Sequence, residues 1–317
     1  MYATSSVGDP GSGEFGRPRI CGIGACTVDV LFVLSPVQVS LHSQLATEFS
    51  LQVGGPVATS LMAAARLGAK TQVVAQVGDD WAGRIIRDSL QEVGVNVENM
   101  VLVPGGSSRI VLVLVDPNTA ERSFVFRPDS MELATKEQIQ AAGLEETVIL
   151  LVDEASPCSI AAARVARRAR GTVIFSGSWA KGKLRTLLRL VDICVVSDEF
   201  FSDWSFQEGA PRSVLDLKSA STAAVVIETH GKDGCTLWEA GESKRFPAFP
   251  VAAVDSTGAG DAFTGGLVFG ISEGWPMSRA IEVASACGAL SCTRLGGSQG
   301  LPDRRQIESF LAESKRR

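Results

Sequence analysis

Histidine is nearly absent from this 317-residue chain, which has two, His42 and His230. Cysteine is present seven times but never as C-x-x-C, and neither Cys21/Cys26 nor Cys287/Cys292 has a histidine beside it. This scarcity argues against a zinc site and for reduced thiols packed as small hydrophobes, the pattern of a cytoplasmic protein. No apolar run reaches the length of a membrane span, so no membrane partner is expected. Residues 1–18 are rich in Gly, Ser and Pro, lack the apolar stretch of a signal peptide, and read as a flexible leader. The net charge is -5, without the basic patch that a nucleic-acid partner requires. The densest basic stretch, Arg164 to Arg170, reads as the solvated face and last turn of a helix. Two phosphate-binding fingerprints are missing as well. No G-x-x-x-x-G-K-S/T is present, and Gly22-x-Gly24 is followed by Thr27 where a dinucleotide site has its third glycine. Gly22 and Gly24 read instead as allowing close strand packing.

What is present is a hydrophobic fraction of 45% and 32 glycines, the composition of a globular α/β enzyme. Short apolar runs at 20–25 and 28–34 read as strands, 58–67 as an alanine-rich helix stopped by Gly68, 71–77 as a strand, and 81–92 as an amphipathic helix stopped by Gly94. Beyond Leu133, strands alternate strictly with helices, which predicts a mostly parallel sheet covered on both faces. The β-rich pieces at about 30–53 and 103–127 do not fit that sheet and are expected to form a small lid together. An exposed lid face commonly pairs with a second copy, so a homodimer through the lid is expected.

The most informative segment is Asp255-Ser256-Thr257-Gly258-Ala259-Gly260-Asp261. Val251 to Val254 reads as a strand before it, and a helix begins after it. Strand, glycine-rich turn and helix N-terminus together aim backbone N–H groups at an anion. A carboxylate beside such a nest is out of place unless it acts on a second substrate. The economical role for Asp261 is a general base that takes a hydroxyl proton while the loop amides hold a transferring phosphoryl group. Read alone, the segment also fits an ordinary capped turn.

The run from Asp255 to Asp261, continued by Ala262-Phe263, resembles the C-terminal signature of the ribokinase (PfkB-type) carbohydrate kinases. Val53-Gly54-Gly55-Pro56-Val57-Ala58-Thr59 resembles their N-terminal double-glycine signature. Thr229-His230-Gly231-Lys232-Asp233-Gly234 looks like their nucleotide loop, and Cys292 to Gly297 matches the region after the penultimate helix. The resemblance covers about Ile20 to Leu311. It implies a three-layer α/β/α sandwich with a mostly parallel central sheet and a small β-sheet lid, in one kinase domain over 19–317. It also implies transfer of the γ-phosphate of ATP, with Mg2+, to a hydroxyl of a small sugar.

By the same resemblance, Asp261 is the base and the amides of Gly258, Ala259 and Gly260 form the anion hole. Asp29, Gly54, Gly55 and Thr59 would hold the sugar, while Thr229, Gly231, Gly234 and Ser197 would meet the nucleotide. Asp255, Thr257, Cys292, Leu295 and Gly297 would form a monovalent-cation site, implying K+. Where many members carry Asn-x-x-Glu for Mg2+, this chain has Ser197-Asp198-Glu199-Phe200. Ketohexokinase and sulfofructose kinase look similar in having a serine there, and the Gly54–Thr59 and Cys292–Gly297 stretches look more like sulfofructose kinase than ribokinase. Asp153 to Pro157, however, lacks an arginine for a sulfonate. Arg109 and Arg127 remain as contacts for an anionic substrate or as ordinary solvated charges. A nucleoside kinase walled by Phe124 and Phe126, and a sugar- or ATP-binding regulator without turnover, are the competing expectations.

Overall fold

The computed structural model describes residues 20–34, 45–118, 122–177, 183–204 and 213–316. The expected leader lies outside them. The chain opens with β1 (Ile20–Ile23), β2 (Thr27–Val33), β3 (Glu48–Gly54), α1 (Pro56–Arg66), β4 (Thr71–Val73), β5 (Ala75–Gly78) and α2 (Trp81–Glu92). It continues through β6 (Met100–Val103), β7 (Arg109–Val115), β8 (Arg122–Arg127), α3 (Lys136–Ala141), β9 (Ile149–Val152), α4 (Pro157–Arg168) and β10 (Thr172–Gly177). Then come α5 (Leu184–Leu188), β11 (Ile193–Ser197), α6 (Asp198–Trp204), α7 (Val214–Ala220) and β12 (Val225–Thr229). Last are β13 (Cys235–Glu239), β14 (Glu242–Phe246), α8 (Ala259–Ser272), α9 (Met277–Ser291) and α10 (Arg304–Ser314).

An eight-stranded sheet runs in the order β14-β13-β12-β11-β10-β9-β1-β4. Its strands from β12 to β4 are parallel, and the β13–β14 hairpin adds an antiparallel edge. The strands are apolar on both faces because helices cover both. Alternation along each strand sorts the side chains into two cores. Ile20, Ile149, Leu151, Ile174, Ile193 and Ile227 pack with Leu61 of α1, Leu267 of α8 and Ile281 of α9. Cys21, Leu150, Val152, Phe175, Cys194 and Val226 pack with Ile160 of α4, Leu187 of α5 and Leu217 of α7. Burial pushes the thiols of Cys21, Cys194 and Cys287 up to about 12, so they pack as neutral apolar groups. Among the described residues no helix is long and apolar enough to cross a membrane.

A second, four-stranded sheet runs β3-β2-β7-β8. Its register places Gln52, Asp29, Val111 and Phe126 in one row and Ser50, Leu31, Val113 and Phe124 in the next, all on one face. The carboxamide of Gln52 docks that face on the main body, accepting from the N–H and hydroxyl of Ser298 and the N–H of Gln299.

Two expectations need correction. The run 71–77 forms two strands, because Val74 donates to Gly22 O while Gln76 already donates to Leu133 O, and β5 leaves the main sheet to pair with β6. The predicted strand at Val251–Val254 does not form. Its hydrogen bonds run instead from Val254 N and Asp255 N to the carbonyl of Cys292 at the end of α9.

Candidate active site

The parallel strands end at a common edge, where ligands bind in open α/β sheets. Gly24 follows β1 there, Asp153 follows β9, Ser197 closes β11 and Thr229 closes β12. Helix α8 begins at the same edge, anchored over β10 by a 2.8 Å hydrogen bond between the hydroxyls of Ser176 and Thr264. Its N-terminus therefore lies between the β9 and β11 sides.

Three carboxylates meet at this edge. Asp29 on β2 is 8% exposed, and Thr27 Oγ1 donates to its Oδ1 at 2.6 Å. Burial pushes its carboxyl up to about 6, against that hydrogen bond. Gly54 makes room for it, since a Cβ there would stand 2.0 Å from Asp29 Oδ2. Asp153 is 7% exposed and accepts the N–H of Ala25 on Oδ2 at 2.9 Å, while its buried Oδ1 has no hydrogen-bond partner. Burial first, then the Glu154 charge, raises Asp153 to about 7, opposed by the Ala25 amide and Arg109. Gly24 is to Asp153 what Gly54 is to Asp29: its Cβ would lie 2.2 Å from Asp153 Oδ1.

Asp261 sits half-buried in the first turn of α8. Burial, then the charges of Asp153 and Asp29, push its carboxyl up to about 7, with Arg122 pulling the other way. Like charges this close do not all ionise together, so near neutral pH the group can accept a proton. The turn before it starts at Gly258, the N-cap, with φ 71. A side chain there would be strained and would meet Gly297 Cα at 2.7 Å. The first N–H groups of a helix have no intrahelical acceptor and carry its positive dipole end. Ala259 N–H is turned to Ser256 O at 3.3 Å, whereas Gly260 is exposed and opens onto free space.

The loop is braced from behind. Asp255 is 1% exposed; its Oδ1 accepts Thr257 N at 2.9 Å and Thr257 Oγ1 at 2.7 Å, and its Oδ2 accepts Gly296 N at 2.8 Å. The expected cation residues Asp255, Thr257, Cys292 and Gly297 are thus brought together, while Leu295 packs against the small-sheet cluster of Leu31, Val33, Val111, Val113 and Val115. On the other expected side, Ser197 and Thr229 are paired by register. Thr229 Oγ1 donates to Val196 O, and Ser197 Oγ is buried without a partner. Gly231 faces open space at φ 53, but Gly234 packs against the Phe246 carbonyl and is explained by that contact. Gly55 caps α1 at φ 93 against Ala25 O, and Thr59, one turn on, is 1% exposed.

Arg109 is neither solvated nor free for an anion. It is 21% exposed and engages Asp129 at 3.1 Å and Glu154 at 3.9 Å. Arg127 pairs with Ile110, which puts it on the face of the small sheet opposite Asp29 and removes it as a substrate contact. Asp153 and Arg122 are the site residues that sequence reasoning passes over. Asp153 had one signal, a carboxylate directly after the wholly apolar strand Ile149–Val152. Arg122 had none, since only the strand register places it.

The model of the pfkB family carbohydrate kinases matches residues 17–304. Fructokinase of Escherichia coli is 32% identical over 280 residues, covering 81% of this chain and 91% of the enzyme. Aminoimidazole riboside kinase of Salmonella typhimurium is 31% identical over 307 residues, covering 89% and 95%. The structure of Arabidopsis thaliana ribokinase, solved with ribose and ATP, superposes with a TM-score of 0.77 at 21% identity over 93% of this chain and 99% of that one. With the two signatures, the sheet order and the edge carboxylates in place, the chain belongs to the pfkB family of carbohydrate kinases.

Proposed function

We propose that this kinase transfers the γ-phosphate of ATP to a hydroxyl of a small neutral sugar, with Asp261 as general base. The observation that carries this reading is the cluster of Asp29, Asp153 and Asp261, each with its proton affinity raised, beside the open N-terminus of α8. Carboxylates grip hydroxyls through paired acceptor oxygens, and the partnerless Asp153 Oδ1 is such an acceptor. Their negative charge disfavours sugar phosphates, and Arg109, on the same face of the small sheet as Asp29, is held by Asp129 and Glu154. The Gly258 and Gly260 amides serve the anion hole more directly than Ala259, whose N–H is turned to Ser256.

For the nucleotide, the orphaned hydroxyl of Ser197 fits a polar ligand, with Thr229 beside it and open space at Gly231. Mg2+ supplies charge neutralisation on the phosphates when bound. It keeps several of its waters, so Ser197, Asp198 and Glu199 suit it through water. A K+ ion at Asp255 would draw on carbonyl oxygens, because both oxygens of that carboxylate already hold Thr257 and Gly296. Replacing K+ by choline in the assay decides whether the ion contributes.

The small sheet serves as a lid in this reading. On its outer face Phe49, Leu51 and Val125 are 59%, 38% and 57% exposed, an apolar patch suited to a second copy. Light scattering of wild type and of Leu51→Asp tests the dimer; a monomeric wild type sinks it. On the inner face, Phe124 and Phe126 are stacked at 6.0 Å and share the face of Asp29. That pair favours a second reading, a nucleoside acceptor whose base rests on the rings.

An ADP-release assay across ketoses, aldoses, sugar phosphates and nucleosides separates these readings. Turnover of a neutral sugar, with sugar phosphates inert, is the expected result. Preference for nucleosides, lost in Phe124→Ala, supports the second reading. Binding without turnover of any acceptor overturns both and indicates a regulator.

A further inference from the structure

An ion pair joins the small sheet to the main body beside Asp153. Arg109 opens β7 and pairs with Thr27, the residue that donates to Asp29, so its side chain leaves the sheet on the face of Asp29. From there it reaches two acids, Asp129 at 3.1 Å and Glu154 at 3.9 Å. Asp129 follows β8 of the small sheet, whereas Glu154 follows β9 of the main body and is the residue directly after Asp153. The bond to Glu154 therefore exists only while the small sheet is docked.

Asp153 is the group between these charges. Its Oδ2 takes the Ala25 amide, and the N–H of Val57, in the first turn of α1, also favours its charge. Its Oδ1 has no partner and lies where Gly24 makes room. The charged groups around it are Arg109, which favours its ionised form, and the acids Glu154 and Asp261. The neighbouring Cys26 thiol is pushed up to about 12 by burial and stays neutral. Only an ionised carboxyl offers two acceptor oxygens and charge-assisted bonds to sugar hydroxyls. Burial and Glu154 raise Asp153 to about 7, so near neutral pH its charge depends on which neighbour prevails. Arg109 counts twice there, once through its own charge and once by offsetting Glu154.

We propose that Arg109 and Glu154 are positioning residues with opposite effects on sugar binding: Arg109 maintains Asp153 as an acceptor for the sugar hydroxyls, and Glu154 opposes it. This inference rests on the phosphotransferase reading above, and it gives neither residue a contact with the sugar. An open cavity of about 160 Å3 beside the pair has Arg109, Asp129, Glu154, Ser156 and Cys158 in its wall. Truncating either partner therefore opens no dry hole in a core.

The test uses full-length wild type, Arg109→Met, Arg109→Lys, Glu154→Gln and the double variant Arg109→Met/Glu154→Gln. Each is assayed from pH 6 to pH 9 with the acceptor that wild type phosphorylates. At pH 7 the acceptor KM should rise about fivefold in Arg109→Met and fall about twofold in Glu154→Gln. The first change raises the proton affinity of Asp153 and the second lowers it. At pH 9, where Asp153 is ionised in every form, the KM values should converge to within about twofold. KM for ATP, and kcat at pH 9, should change little. Lysine keeps the charge and should recover most of the KM, and the double variant should lie near wild type. Calorimetry of the acceptor with a non-hydrolysable ATP analogue should give the same order of affinities without turnover.

A purely structural latch makes a different forecast. Breaking the pair from either side would then raise KM alike at every pH, and the double variant would be no better than the single ones. That pattern, or a KM indifferent to both substitutions, overturns the assignment. If Arg109→Met fails to fold, the sign of the Glu154→Gln effect decides alone. Wild type that transfers phosphate while the KM pattern fails refutes the arginine–glutamate role only. Wild type that transfers none refutes the phosphotransferase reading.

Discussion

Replacing Asp261 by Asn should cut turnover sharply and at the same time stabilise the protein. Burial and the charges of Asp153 and Asp29 raise its carboxyl from the ordinary 3.8 to about 7. The folded chain therefore holds a proton on Asp261 that the unfolded chain releases once pH passes about 4. Stability falls as pH rises wherever the folded state binds more protons, so the cost grows from pH 4 and levels off above pH 7. A shift of roughly three units at about 1.36 kcal/mol each sets a ceiling of about 4 kcal/mol. Asp261 is only half-buried, and solvent screening reduces this to about 2 kcal/mol. Asparagine keeps the shape without the charge, so at pH 8 its unfolding midpoint should rise by a few degrees. The gain should shrink by more than half at pH 5. Turnover should drop by about 100- to 10,000-fold, the range for a lost general base. Thermal unfolding at the two pH values and an ADP-release assay read both effects. An Asn variant no more stable than wild type at pH 8 would show that the carboxylate is not under electrostatic strain. Full activity in that variant would remove Asp261 as the base.

Asp153→Asn takes away the largest charge acting on Asp261, so the acid limb of the kcat profile, expected near pH 7, should move downward; an unmoved limb would separate the two groups. Gly54→Ala places a Cβ 2.0 Å from Asp29 Oδ2 and must displace that carboxylate, raising sugar KM about tenfold or more while a nucleotide analogue binds unchanged. Gly258→Ala meets Gly297 at φ 71 and should lower both the unfolding midpoint and kcat, whereas Gly260→Ala, which faces open space, should fold normally.

The glycine turns before α8 and α1 were legible because their signals are local: glycines at fixed spacing, each at the start of a helix. The parallel sheet was legible from strand–helix alternation. Periodicity could not divide Thr71–Val77, because an apolar run looks the same whether one sheet receives it or two. The short helix α3 is announced by a capping box between Thr135 and Gln138, a signal confined to one turn and easily lost among neighbouring loops. Val251–Val254 reads as a strand by composition, yet Val254 is 48% exposed and the segment's hydrogen bonds go to a helix end. No pattern of side chains reveals that the edge of a sheet is already satisfied.

Glycine carried two different meanings that sequence alone could not separate. At Gly55 and Gly258 the backbone itself needs positive φ, and the residue belongs to its own turn. At Gly24 and Gly54 the missing Cβ is the space occupied by a carboxylate, Asp153 in one case and Asp29 in the other. Asp153 is 129 residues from Gly24, so no local motif joins them, although the fold makes them a single unit. The acidic pocket is therefore built by pairs, each a carboxylate and the glycine that admits it. A substitution at either glycine should act on substrate binding as a change to its aspartate would. That equivalence puts Asp153 on the same physical footing as Asp29, which the family resemblance had offered as a sugar contact.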